Sequence, residues 1–565
     1  MRRLTSLLAI TLILAAVPAA AQQRFDVLIT GGRIIDGTGN PWFYGDVGIR
    51  EGRIVAVGQL LGATATRTID AKGKIVSPGF IDIHSHADDS SGNPQRYLRS
   101  DDATRRSAPN LVSQGITTVV VNQDGRSPWP IADQLAQYRS KKIGPNAIAL
   151  VGHGAVRGRV MGPDVQRPAT ADEIARMRNL VRQALEEGAS GLSAGLEYAP
   201  GRWSTTDEVV ALAEELKRYQ GVYISHERSE GSDPMWYWPS QDPAGPPTLL
   251  DAVRETIEIG ERAGITVVAS HIKAKGAHYW GSGAAAIQLI EAARARGVQV
   301  FADQYPYETS GTDGNTVLIP SWAIRGTGGQ RVPPTERLRQ TLADSANARK
   351  LRQDITHEIS RRGGADKIVI FDYPNRAYVG QSLGAVARTR NVHPVEMAIL
   401  LQLEGDPNRA GGGRIRGFSL SELDLDMYAA QPWVATATDG GIALPDDGPS
   451  THARFYGTFP RKLRYFAIDR GIMSLEDAIR SSTSLPAQIL GLRDRGLIRE
   501  GMAADVVVFD PNTIRDKSTF MEPHQHAEGI DYVIVNGQFV VDGAKLTGGL
   551  PGQVITLGPQ RAQRT

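Results

Sequence analysis

The 565-residue chain contains no cysteine, which excludes disulfides, thiolate metal ligands, a cysteine nucleophile and acylation of an N-terminal cysteine. Any metal must therefore be held by His, Asp, Glu or Lys. A dominant charge is lacking too: 63 Lys and Arg stand against 61 Asp and Glu, a formal net charge of +2. No basic field points to nucleic acid or anionic lipid, so small neutral or anionic molecules are the expected partners. Apolar runs long enough to span a bilayer are also missing. The apolar run from Leu7 to Val17 follows Arg2 and Arg3 and precedes Pro18 and Ala19-Ala20-Ala21. That is the layout of a cleavable secretory signal over residues 1–21, not of a stable membrane anchor. The expected mature start lies near Gln22, and the expected location is periplasmic or secreted.

What is present begins with turn-punctuated strands. Phe25-Asp26-Val27-Leu28-Ile29-Thr30 and Asp46-Val47-Gly48-Ile49-Arg50 read as strands, with Glu51-Gly52 as a tight turn before Arg53-Ile54-Val55-Ala56-Val57. Ala504 to Asp510 and Tyr532 to Val541 have the same character. Neither end carries enough apolar strand to stand alone, so residues 22–78 and 499–560 are expected to form one small β-sandwich domain. Between them, 79–498 alternates strand-like and helix-like segments, as a parallel sheet requires. Strands are expected up to His84 and over 116–121, 147–151, 189–196, 222–225, 265–270, 298–302 and 433–436. Eight such units predict an α/β fold, a closed (β/α)8 TIM-like barrel. Thr170 with Glu173 and Thr205 with Glu208 fit capping boxes at helix starts. The rhythm breaks at about 308–431, a stretch too long for a structureless loop, so a lid-like insertion is expected there, with a helix over 394–401.

Polar residues fall where these strands end. His84 and His86 lie two apart, the spacing that puts both on one face of an extended strand, and neutral imidazoles ligate zinc and similar ions. Asp124, His153, Glu197 with Tyr198, His226, His271, Asp303 with Tyr305, and Asp439 each follow a later strand. The C-terminal rim of a barrel gathers such residues into one site, so a metal-centred site is expected.

With these motifs in order, the chain resembles the amidohydrolase superfamily. Pro78-Gly79-Phe80-Ile81-Asp82-Ile83-His84-Ser85-His86, the single histidines after strands five and six, and the aspartate after strand eight carry the resemblance. Ser225-His226-Glu227-Arg228, Ser270-His271-Ile272-Lys273, Tyr305-Pro306-Tyr307 and Gly457-Thr458-Phe459-Pro460-Arg461 are similar to its N-acyl-D-amino-acid deacylase (D-aminoacylase) branch. The resemblance implies His84 and His86 at one metal position, His226 and His271 at another, and Asp439 beside both. Where that branch usually has a cysteine after strand two, this chain has Asp124, a harder ligand, or else an Asp-Gly turn. The expected cofactor is one tightly held zinc, with room for a second, weaker divalent ion.

A divalent ion would activate water, and Asp439 is the expected general acid/base. The resemblance further implies that Lys273, Tyr198, Tyr305, Ser310 and Arg454 line the substrate pocket, with Arg454 clamping a carboxylate. The expected reaction is hydrolysis of a linear amide on a D-amino acid, removing an N-acyl group or the N-terminal residue of a dipeptide. Cyclic-amide opening, prolidase-like cleavage and non-catalytic capture of acylated ligands are the alternatives.

Overall fold

A computed structural model of the chain describes residues 24–89, 93–325 and 332–557. The expected signal at 1–21 lies outside the described residues. Both ends of the chain build one nine-stranded sheet. Its spine is the long strand Arg24–Ile34, which pairs antiparallel with Phe43–Arg50 on one side. On the other side its first half pairs with Thr64–Asp70 and its end with Ile75–Pro78. The register shifts between Ile29 and Gly32, where Gly31 takes φ 68°. Such a bulge bends a strand and raises its twist, letting the two halves serve different neighbours. Ile75–Pro78 then pairs with Val506–Phe509, which leads into Ile530–Val535, Gln538–Asp542 and Lys545–Leu546. The alternate residues Val27, Ile29, Val47, Ile49, Val506, Val508 and Ile534 form the core of this unit. The expected tight turn is there, with Arg50 facing Arg53 and Glu51 and Gly52 both at positive φ.

The barrel strands are Phe80–Asp82, Ile116–Val121, Asn146–Ala149 continued by Val151–Gly152, Gly191–Gly195, Val222–His226, Thr266–Ala269, Val300–Gln304 and Val434–Thr436. Every pairing among them is parallel. The ring closes through short extensions, Gly440 opposite Ser85 and Gly441 opposite His86. Buried on both faces, these strands read as apolar runs without alternation, as Ile116–Val121 does. Thr170 and Glu173 form the expected capping box. Thr205 caps its helix through the Glu208 N–H, but the Glu208 carboxylate turns instead to His153 and Arg157, so the box is half made.

Between strands seven and eight, the helices Pro334–Ala343, Ser345–Arg361, Leu383–Thr389 and Pro394–Glu404 surround an antiparallel pair, Ile368–Asp372 with Arg414–Gly417. Leu338, Leu351, Ile355, Ile370, Met397 and Leu401 give this insertion its own core. The following helix, Glu422–Ala429, belongs to the barrel wall: Asp424 accepts hydrogen bonds from the main chain at Gly281 and Gly283, at the start of the helix after strand six. No helix among the described residues is long and apolar enough to cross a membrane.

Candidate metal centre

Strand ends and left-handed turns set the site. Strand one stops at Asp82, two residues before His84, and Ser85–His86 is a separate short pairing. The extended strand expected to aim both histidines is therefore absent; a bend followed by the barrel closure aims them. The closure is fixed by Asp82, whose carboxylate accepts from the Thr438 N–H at 2.8 Å and hydroxyl at 2.6 Å, while the Asp439 N–H donates to the His84 carbonyl at 2.9 Å. Asp124, His271 and Asp439 have φ of 58°, 39° and 46°. For non-glycine residues that conformation costs about 1–3 kcal/mol each, and it persists where the surroundings demand it. Gly125 follows Asp124 at φ 73°, and a Cβ there would come 2.8 Å from the Gly195 nitrogen, so the turn under Asp124 needs glycine.

Six side chains converge. Asp124 Oδ1 lies 3.5 Å from His84 Nε2, 3.6 Å from His226 Nδ1 and 3.7 Å from His271 Nε2, and Asp124 Oδ2 lies 3.6 Å from His86 Nε2. Asp439 Oδ1 is 3.2 Å from His86 Nε2 and 3.7 Å from His84 Nε2. Donors about 2.0–2.1 Å from one tetrahedral ion stand roughly 3.4 Å apart, so this spacing fits zinc-sized coordination. The 2.8 Å between His226 Nδ1 and His271 Nε2 is the one tight pair. His84 Nε2 and Asp124 Oδ1 are buried with no hydrogen-bond partner, a state that is costly unless something else satisfies them. Among the described residues three groups could hold an ion: His84 with His86 and Asp124, His226 with His271 and Asp124, and His226 with Glu197 and Glu230. Asp124 is common to the first two.

The charges agree. Burial alone would raise Asp439, but the Arg454 guanidinium and the rings of His271, His86 and His84 hold it well below the usual carboxylate range. Burial would raise Asp124 as well, and His226, His271 and His86 outweigh it. Burial works against a charged His86 or His226, yet the carboxylates beside them raise these rings to about 9 and about 10. Two ionised carboxylates thus draw positive charge into a largely buried site, and a divalent cation would supply it without protons. Behind the rings, the His226 Nε2–H donates to Glu197 Oε2 at 3.1 Å, leaving Nδ1 to face Asp124. His84 Nδ1 meets the Ser270 hydroxyl at 2.6 Å, and Ser270 donates to Asp303. Burial pushes Asp303 up to about 7 against that bond and one from the His271 N–H.

A cavity of about 130 Å3 lies over the centre, lined by His86, Asp124, His226, His271 and Asp439 together with Tyr198, Lys273, Tyr305, Ser310 and Arg454. Of the metal and substrate residues that the resemblance implies, only His84 is missing from its walls; of the other strand-end residues, His153, Glu197 and Asp303 are missing too. Three of the residues expected to face substrate are more committed than the sequence suggested. Arg454 Nη1 is 3.0 Å from Asp439 Oδ2. Lys273 hydrogen-bonds Glu230 and lies 2.7 Å from His271 Nδ1. The Ser310 hydroxyl donates to Asp313 at 2.9 Å. Tyr305 keeps a buried hydroxyl without a partner, under the Arg454 guanidinium at 4.6 Å from its ring centre. The Tyr198 ring lies tilted by 40° against that of His226, ring centres 4.2 Å apart.

Glu230 is the acid that sequence reasoning missed. It sits four residues after His226, takes charge from Lys273 and Lys275, and its carboxyl is held down by them against burial. Its signal in the sequence was the pair of lysines, Lys273 and Lys275, which cannot be buried without an anion. His153 is a buttress, not a site residue: its Nε2 binds Glu208 at 2.9 Å, away from the cavity. A Gly-x-Ser-x-Gly pattern occurs at Gly191–Gly195, but it is the fourth barrel strand and not a strand-to-helix elbow. Ser193 is buried and donates to the Asn122 carbonyl at 2.6 Å, supporting the Asp124 turn.

A model of the amidohydrolase family matches residues 67–315 and 379–541, passing over part of the insertion. The D-aminoacylase of Alcaligenes xylosoxydans xylosoxydans is 33% identical over 556 residues, covering 94% of this chain and 98% of that protein. The crystal structure of D-aminoacylase aligns with a TM-score of 0.70 at 32% identity, over 94% of this chain and 100% of that one. N-acyl-D-glutamate deacylase from Bordetella bronchiseptica, solved with zinc and a phosphonate mimic of the tetrahedral intermediate, aligns equally well at 31% identity, over 94% of this chain and 100% of that one. The chain belongs to the amidohydrolase family, in its D-aminoacylase branch.

Proposed function

We propose that this protein is a metal-dependent deacylase that hydrolyses the linear amide of N-acyl-D-amino acids, with His84, His86, Asp124, His226, His271 and Asp439 as the metal-site residues. The observation that carries the reading is the shared Asp124 oxygen, with three histidine nitrogens within 3.7 Å of it, under a cavity walled by Arg454, Lys273 and Tyr305. Zinc is the ion that this nitrogen and carboxylate set suits, and it is the ion present in the related N-acyl-D-glutamate deacylase. Held by these residues, a divalent ion would supply an activated water and a polarised scissile carbonyl. Asp439 takes the proton that water loses and delivers it to the departing amine nitrogen, so that hydroxyl ends on the acyl carbon and hydrogen on the amine. Arg454 keeps Asp439 ionised until that transfer and offers its remaining N–H groups to the substrate carboxylate. Tyr305 supplies a hydroxyl with no other partner. The described residues of the insertion, 308–325 and 332–421, act as a lid: the turn Ser310 to Thr312 forms one wall of the cavity, and Arg361 ties the lid to the loop after strand five through Asp233 at 2.8 Å. The charged and apolar layout of residues 1–21 supports export to the periplasm or beyond.

A chiral panel of N-acyl amino acids, assayed on protein of measured zinc content, tests this. Hydrolysis of D but not L substrates is expected, abolished by chelation and restored by zinc. Turnover confined to cyclic amides or prolyl peptides would overturn it. Within the same panel, Arg454→Lys is expected to lower kcat/KM for N-acyl amino acids at least about tenfold further than for the matching amides, since only the acids use the planar fork. Both classes lose something through Asp439, so an equal loss would confine Arg454 to that ion pair.

A further inference from the structure

Ser270 and Asp303 take no part in the reaction described above, yet they connect the two halves of the metal centre. Both are buried. Asp303 Oδ1 accepts the main-chain N–H of His271 at 2.7 Å, holding that residue in its left-handed conformation. Asp303 Oδ2 accepts the Ser270 hydroxyl at 2.6 Å. Ser270 Oγ has one proton, and it is given to Asp303, so at its 2.6 Å contact with His84 Nδ1 the oxygen must accept. The His84 proton then sits on Nδ1 and the lone pair on Nε2, the nitrogen that faces Asp124 and Asp439.

We infer that Ser270 and Asp303 are positioning residues, a proton-direction relay that holds His84 in the one tautomer able to ligate a metal while Asp303 also clamps the backbone of His271. Its effect on zinc rests on the metal reading above; the direction of its protons does not. It makes an uncommon prediction for an isosteric change. In Asp303→Asn the amide has one accepting and one donating end. With the oxygen kept on the His271 N–H, the amide NH2 donates to Ser270 Oγ. The Ser270 proton must then go to His84 Nδ1, which moves the ring proton to Nε2, into the metal site. The opposite amide orientation sets NH2 against the His271 N–H, two donors face to face. Either way a ligand is lost without loss of volume.

Removing Ser270 breaks the relay without enforcing the wrong tautomer. Ser270→Ala is therefore expected to be milder than Asp303→Asn, and Ser270→Ala/Asp303→Asn to bind zinc better than Asp303→Asn alone. Structural damage at two adjacent buried sites would accumulate instead. The measurement is zinc affinity at pH 8 by competition with a chromogenic chelator, on variants matched to the wild type by circular dichroism. Orienting partners of metal-bound histidines are worth about 10–100-fold in metal affinity, and a loss of that size is expected for Asp303→Asn with partial recovery in the double variant. In parallel, 15N NMR of histidine-labelled apoprotein, with the His84 signal assigned through His84→Gln, is expected to place the ring proton on Nδ1 in the wild type and on Nε2 in Asp303→Asn. Unchanged zinc affinity in Asp303→Asn, or a double variant no better than it, or a His84 proton on Nε2 in the wild type, would overturn the relay. A wild type that binds no zinc but shows the Nδ1 tautomer would sink the metal reading and leave the relay standing, so the two failures are told apart.

Discussion

Asp439→Asn is expected to give a folded protein whose kcat on its best N-acyl amino acid is lower by about three orders of magnitude, within the range that a positioned general acid/base contributes. Two contacts of the carboxylate make the change severe. Asp439 Oδ1 faces His86 Nε2 at 3.2 Å, and Oδ2 faces Arg454 Nη1 at 3.0 Å. The asparagine amide cannot accept at both ends, so if its oxygen stays with the histidines its NH2 opposes the guanidinium. Arg454 would then be a buried cation without its anion. Even with zinc retained, the variant lacks a group of the right basicity to take the proton of water. Elemental analysis and circular dichroism on the assayed samples separate chemistry from metal loss and unfolding. A kcat within tenfold of the wild type would remove Asp439 from proton transfer.

At Asp124 the expected effect is on metal content first and activity second. Asp124→Ala deletes the one oxygen that three histidine nitrogens share, so both groups of donors lose their anion and the purified protein is expected to lose its tight zinc together with turnover. Asp124→Cys restores an anionic ligand of a kind zinc favours and is expected to keep the tight ion. Because residue 124 sits at φ 58°, alanine also strains the turn. Asp124→Asn tolerates that backbone but carries no charge, so it is expected to fold like the wild type and still bind zinc weakly. Full metal content in Asp124→Ala would make Asp124 a turn residue only.

The barrel was legible in the sequence because each strand is buried on both faces and carries a polar residue where it ends; 116–121 and 222–225 needed no more than that. His84, His86, His226, His271 and Asp439 were legible for the same reason, since polarity at an apolar strand end stands out along one dimension. The route to the metal was less legible. His84 and His86 were expected on one strand, and the structure places His84 on a bend and His86 in the short pairing that closes the ring, because that closure depends on Asp82 and Thr438, 356 residues apart. Partners hidden behind the candidate ligands were harder still to read. Glu230 looked like one acid in a polar run, and its role exists only once Lys273 and Lys275 are folded against it. Glu208 was read as a helix cap, and the buried side chains of His153 and Arg157 took its carboxylate instead.

The sheet shared by the two chain ends has a consequence for how the protein is made. Arg53 donates to the carbonyl of Gly501, 448 residues later, and the Gly79 N–H, at the threshold of the first barrel strand, donates to the carbonyl of Asp505. Until the ribosome has passed Asp505, Ile75–Pro78 has an open edge and the strand that carries His84 is tethered at one end only. Contacts so distant along the chain close slowly and late. On the proposed reading, capture of a divalent ion by the His84 and His86 pair is therefore expected only late, once the strand after residue 505 has joined the sheet. A chain stopped short of residue 505 would hold every residue proposed for the metal yet lack the anchor that brings the first two into place.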